Sequence, residues 1–222
     1  MNCATMRACS AHLLLRRSAL LCFCGAALTL GAYAYLSADA AFYQSVRGRQ
    51  FDSQVAAGCT GRSAPALSSP RGVGSTIGRI EIPRLGISVM VLEGDDQLTL
   101  RHGAGHVPGT ALPGEHGNVA IAAHRNTFFR PLRNIRKNDL IRLSSVQSLS
   151  LYRVESTEVV EPSHTEVLDS TEVPTLTLIT CYPFFYVGAA PNRFVVRARR
   201  VSTHARVSAV GDINSLPGIP PR

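Results

Sequence analysis

Residues 175–201, TLTLITCYPFFYVGAAPNRFVVRARRV, read as two strands joined by the loop YPFFYVGAAPN. Alternation along TLTLITC puts Leu176, Leu178 and Thr180 on one face and Thr175, Thr177, Ile179 and Cys181 on the other. The loop begins directly after Cys181, so this thiol stands at a strand end and not in mid-core. The second strand opens at Arg193. A strand, a loop and a returning strand of β-branched residues set the pattern for what precedes them.

Working outward, IGRIEIP (77–83), ISVMVLE (87–93), DLIRLSS (139–145) and SLSLYRVESTEVV (148–160) are further strand-like runs between turn residues. NVAIAAH (118–124) is almost continuously apolar, which predicts a strand buried on both sides. Helical pieces are few, with DDQLTLRHG (95–103) and FFRPLRNI (128–135) as the candidates. Many short strands spaced by turns predict a mainly β domain, a barrel or sandwich with short helices, over residues 77–202. About 125 residues suffice for one core.

The amino-terminal part has a different character. Arg7, Arg16 and Arg17 precede SALLCFCGAALTLGAYAYLSA (18–38), which holds no charged residue. As a helix its 21 residues would extend about 31 Å, the thickness of a bilayer's hydrocarbon core. The upstream arginines predict residues 1–17 in the cytoplasm and the remainder outside. Ala38-Asp39-Ala40 is an alternative signal-peptide cleavage site, but the apolar run exceeds the roughly 7–15 residues of a signal core. The expectation is a single-pass membrane anchor at 18–38. A flexible spacer rich in Ser, Gly, Ala and Pro is expected over 39–76, and a disordered tail over 203–222.

The chain has 222 residues, 45% of them hydrophobic, and a formal net charge of +8. Charged residues make up 17%, which argues against wholesale disorder. The basic excess lies mostly outside residues 77–202, unlike that of a nucleic-acid-binding domain, so nucleic acid is not an expected partner. Five of the six cysteines precede the domain and Cys181 is alone within it. That excludes a disulfide-stapled scaffold or a cysteine-based metal site there, and leaves a buried thiol or a nucleophile.

His124 ends the apolar run, either as a core histidine hydrogen-bonded to backbone or as an acid/base group on a rigid mount. Cys, His and Arg at three strand termini divide the labour of acyl transfer. A thiolate attacks, an imidazolium protonates the leaving amine, and a guanidinium holds the oxyanion. A zinc site at His102 and His106 would need one helix across Gly103 and Gly105, which is unfavourable, and no HExxH occurs. The acids of 161–172 (Glu161, Glu166, Asp169, Glu172) are too dispersed to suggest calcium, and no metal or cofactor is expected.

TLITCYPF (177–184), PNRFVV (191–196) and GHVPGTALPGEHGNVAIAAHRNTFF (105–129) resemble the sortases, most closely class D, over nearly the whole domain. The resemblance implies an eight-stranded β-barrel and a membrane-anchored cysteine transpeptidase with Cys181 as nucleophile, His124 as general acid/base and Arg193 as stabiliser of substrate or oxyanion. Thr180 is implied as a substrate contact and His106 as structural. Expected partners are proteins bearing a C-terminal LPxTG-like sorting motif and an amine acceptor, either peptidoglycan or a protein Lys. Two alternatives stand beside it. An L,D-transpeptidase would carry SxGCxR, which is absent, and a catalytically silent tethered module would have an unreactive Cys181.

Overall fold

A computed structural model describes residues 3–59 and 72–205. The chain divides into two compact units, residues 1–42 and 43–222. Helix α1 (Cys3–Cys59) contains, within Arg16–Ala57, an 18-residue stretch of mean hydropathy 1.8 that is long and apolar enough to cross a membrane. In the first unit the large apolar side chains from Leu20 to Leu36 face outward.

The second unit is a closed barrel of eight strands in the order β1-β2-β3-β4-β7-β8-β6-β5. In chain order these are β1 (Thr76–Ile82), β2 (Ile87–Glu93), β3 (Ala104–His106), β4 (Asn118–Ala122), β5 (Leu140–Ser145), β6 (Ser148–Val160), β7 (Thr175–Tyr182) and β8 (Asn192–Ala205). Closure comes from antiparallel pairing of β1 with β5. Ile80, Ile82, Val119, Ile121, Leu143, Tyr152, Leu176 and Leu178 fill the interior. The alternation in β7 holds, since Leu176 and Leu178 belong to this core. β4 lies between β3 and β7 and its Val119, Ala120 and Ile121 are fully buried, which accounts for its unbroken apolar run.

Seven of the eight strands coincide with runs visible in the sequence. The eighth, β3, has only three residues and follows Gly103, so no periodicity marks it. It exists because the backbone passes very close at Gly105, where an added Cβ would stand 2.2 Å from the Gly94 carbonyl oxygen. Of the two helical candidates, α2 (Gln97–His102) forms with Asp96 as its cap, the carboxylate accepting from the N–H groups of Leu98 and Thr99. The other is a short 3-10 turn, Arg130–Asn134.

The spacer expected over 39–76 is corrected in its first half. α1 continues to Cys59, and within the second unit its residues pack on the barrel. Phe51 and Val55, one helical turn apart, bury against Met90. Gln44 accepts from the Met90 N–H at 2.8 Å and donates to the His102 carbonyl, while Asp52 pairs with Arg79 at 2.9 Å. A stripe of two apolar residues is too narrow to register as amphipathic, and tertiary contacts hold the helix. Within the rest of that spacer, the segment 60–71 lies outside the described residues. So does the tail beyond residue 205, although β8 runs to Ala205 and thereby takes in the first tail residues.

Replacing Gly105 with Ala drives a methyl into backbone that has no free rotamer to yield, at a cost of about 1–3 kcal/mol. The melting temperature of the full chain, followed by circular dichroism in detergent, is expected to fall by roughly 3–10 °C. Gly72→Ala, where the added Cβ meets only open space and the backbone is not left-handed, serves as the comparison.

Candidate active site

The site is built at one end of three neighbouring strands. β4 and β7 run parallel with Ala122 opposite Ile179, and the Ala123 N–H extends the ladder to the Ile179 carbonyl at 3.2 Å. The Thr180 hydroxyl donates to the Ala123 carbonyl at 2.7 Å. Residue 123 is thus bonded to β7 through both of its peptide groups, and His124 leaves the sheet from a fixed point. After it, the N–H groups of Phe129 (3.2 Å) and Thr127 (3.4 Å) donate back to the His124 carbonyl, and Phe129 and Leu132 anchor this turn in the core.

Cys181 and Arg193 come together through β7 and β8, whose antiparallel register places them directly opposite each other. Arg193 also stands opposite Val160 of β6. Its guanidinium is steadied by the Asn192 carbonyl at 3.1 Å. His124, Cys181 and Arg193 all line one groove of about 400 Å³, with Ala122, Ile179 and Val195 as its apolar base. Three residues separated by up to 69 positions therefore share one cleft.

Burial lowers the proton affinity of the His124 imidazole below that of an ordinary histidine, because a cation there loses hydration. Cys181 is a free thiol, half-buried. The groove thus holds a thiol, an imidazole whose cationic form burial disfavours, and a fixed guanidinium, a set that suits attack on a carbonyl.

Thr180 lines the same groove, is only 2% exposed, and gives its hydroxyl proton to the Ala123 carbonyl, so it also fixes the residue before His124. His106 is buried, with Nε2–H donating to the Ala111 carbonyl at 3.0 Å, a structural role. His102 ends α2 and stacks on Tyr43, so the two histidines do not converge. Among the described residues no group of three or more His, Cys, Asp or Glu side chains is arranged to hold a metal.

Two positioning residues escaped sequence reading. Asn118, 1% exposed, donates to the carbonyls of Val167 (2.9 Å) and Asp169 (3.2 Å) and accepts from the Thr177 hydroxyl (2.7 Å). It pins the segment 165–168, whose Val167 and Leu168 form one wall of the groove, to β4 and β7. Arg125 donates to the carbonyls of Pro183, Tyr186 and Gly188, holding the β7–β8 loop against the turn that carries His124. The only available signal was adjacency, since one precedes the apolar run and the other follows His124.

A family model described as the sortase domain matches residues 80–201. Sortase D of Bacillus subtilis is 34% identical over 130 residues, covering 58% of this chain and 66% of that protein. Sortase A of Bacillus anthracis is 31% identical over 134 residues, covering 59% and 62%. The chain spans between half and two thirds of the length of the curated relatives it matches. Among solved structures, a Clostridium perfringens sortase D5 transpeptidase superposes with a TM-score of 0.59 at 26% identity, over 69% of this chain and 95% of that one. A variant of Streptomyces avermitilis sortase E gives 0.55 at 29% identity, over 63% and 96%. The L,D-transpeptidase and silent-module alternatives gain no support from these matches.

Asn118→Ala removes three hydrogen bonds, two of them buried, and strands their partners, at a cost of about 2–4 kcal/mol. Urea unfolding of the variant should show that loss, and proteolysis should cut sooner within 161–172, the segment that Asn118 pins.

Proposed function

Since the chain belongs to the sortase family, we propose that it is a membrane-anchored cysteine transpeptidase acting on proteins with an LPxTG-like C-terminal sorting motif. Residues 1–17 lie in the cytoplasm, the apolar segment 18–38 crosses the membrane, and the barrel works on the outer side. The observation that carries the reading is the shared groove of His124, Cys181 and Arg193.

The Cys181 thiolate attacks the carbonyl carbon of a backbone amide, and the resulting oxyanion faces the Arg193 guanidinium. Collapse of this intermediate breaks the C–N bond as His124, protonated, gives its proton to the departing amine. The acyl group remains on Cys181 as a thioester. An incoming amine then yields a proton to neutral His124 and attacks the thioester carbonyl. The new amide forms and the thiolate leaves. Water in place of the amine gives hydrolysis. The acceptor is a peptidoglycan amine or a protein Lys.

Thiolate and imidazolium must be present together. Burial favours neutral His124, so near pH 7 only a minor share of the enzyme carries the imidazolium. Raising the pH removes that share, whereas lowering it protonates the thiolate. The pH–rate profile is therefore expected to be a bell, and a flat profile from about pH 5 to 10 would argue against the pair.

Incubation with a peptide library followed by mass spectrometry should reveal an acyl adduct on Cys181. Cys181→Ala and His124→Ala should abolish turnover with little change in melting temperature. Arg193→Lys should lower kcat by roughly 10²–10³, since a point charge lacks paired donors. A Cys181 that labels slowly with thiol reagents, at a rate unaffected by His124→Ala, would instead mark a silent module.

A further inference from the structure

The β7–β8 loop ends in a tip whose large apolar side chains stay largely exposed. Phe185 is 75% exposed, Tyr186 48% and Val187 99%. Monomeric domains seldom leave three adjacent large apolar residues in water without a use for them. The tip is held stiffly, because Arg125 grips the carbonyls of Pro183, Tyr186 and Gly188 and lies over the Tyr186 ring at 5.8 Å. It is also bordered by positive charge. Arg133 lies over the Phe185 ring at 5.3 Å, and the same arginine lines a concavity of about 520 Å³ with Arg84 and Arg136. No carboxylate lines this concavity among the described residues, and Asp139, which pairs with its Arg84, is buried. Residues 130–137, RPLRNIRK, carry four cations and no acid.

An apolar, aromatic tip flanked by guanidinium groups is the surface chemistry of interfacial membrane binding. Rings and aliphatic groups enter the headgroup–acyl boundary while arginines meet lipid phosphates. We infer that this face of the barrel docks on an anionic lipid surface, with Phe185 and Val187 immersed and Arg133 and Arg136 on the phosphates. An apolar span in the same chain keeps such a surface within reach. The inference goes beyond the proposed reaction, because it concerns how the groove is presented and not what the groove does. The immersed loop joins Cys181 to Arg193, so docking would hold the groove's mouth near the membrane.

The chain contains no Trp, so F185W supplies a single fluorophore and keeps a ring for Arg133. The full-length variant is reconstituted into vesicles of phosphatidylcholine alone or with one quarter phosphatidylglycerol, each with and without brominated acyl chains. In the anionic vesicles we expect a blue-shifted emission and at least a twofold loss of fluorescence to bromine. R133E/R136E and high salt should both return the signal to that in neutral vesicles. V73W, at another exposed site, should not be quenched. A chain that floats with the vesicles but shows no quenching overturns this inference alone. A chain that neither floats nor is quenched overturns the membrane anchor with it. Equal quenching in neutral vesicles or in V73W also overturns it. So does a blue shift without lipid that follows protein concentration or added sorting-motif peptide, which would assign the tip to a second copy or to substrate.

Discussion

The parallel pairing of β4 with β7 is the constraint on which the groove depends. It brings the carboxyl ends of two strands side by side although more than fifty residues separate them. One side-chain bond, from Thr180 to the Ala123 carbonyl, then carries the registration one residue past the end of the ladder. A hydrogen bond buried this deeply loses nothing to competing water. His124 consequently leaves β4 in a direction set by β7, the strand that bears Cys181.

The remaining contacts extend this registration outward. β8 pairs with β7 throughout, so Arg193 needs only the sheet's register to face Cys181. Asn118 fastens the 165–168 wall at the opposite end of β4, and Arg125 fastens the β7–β8 loop to the turn after His124. Each of these side chains satisfies several backbone carbonyls at once, so loops without regular ladders keep a defined shape. Rigid strands position Cys181, Arg193 and the departure point of His124, while loops pinned by single polar residues supply the walls.

Electrostatics and packing pull against each other at His124. The half-buried position that orients the ring also disfavours its cation, and the cation is the form that protonates a leaving amine.

Sequence alone determined the strands whose side chains alternate or run continuously apolar, the hydrophobic segment near the amino terminus, and the strand-end placement of Cys181, His124 and Arg193. Those features are local, because burial on one or two faces leaves its mark on neighbouring residues. Tertiary structure decided the rest. β3 forms by close backbone approach at Gly105, α1 persists past residue 39 because Gln44, Phe51 and Val55 find partners on the barrel, and Thr180, which lines the groove, also fixes the carbonyl before His124. In each case the deciding partner lies dozens of residues away, and no pattern within one stretch of chain records where a distant carbonyl or methyl group will stand.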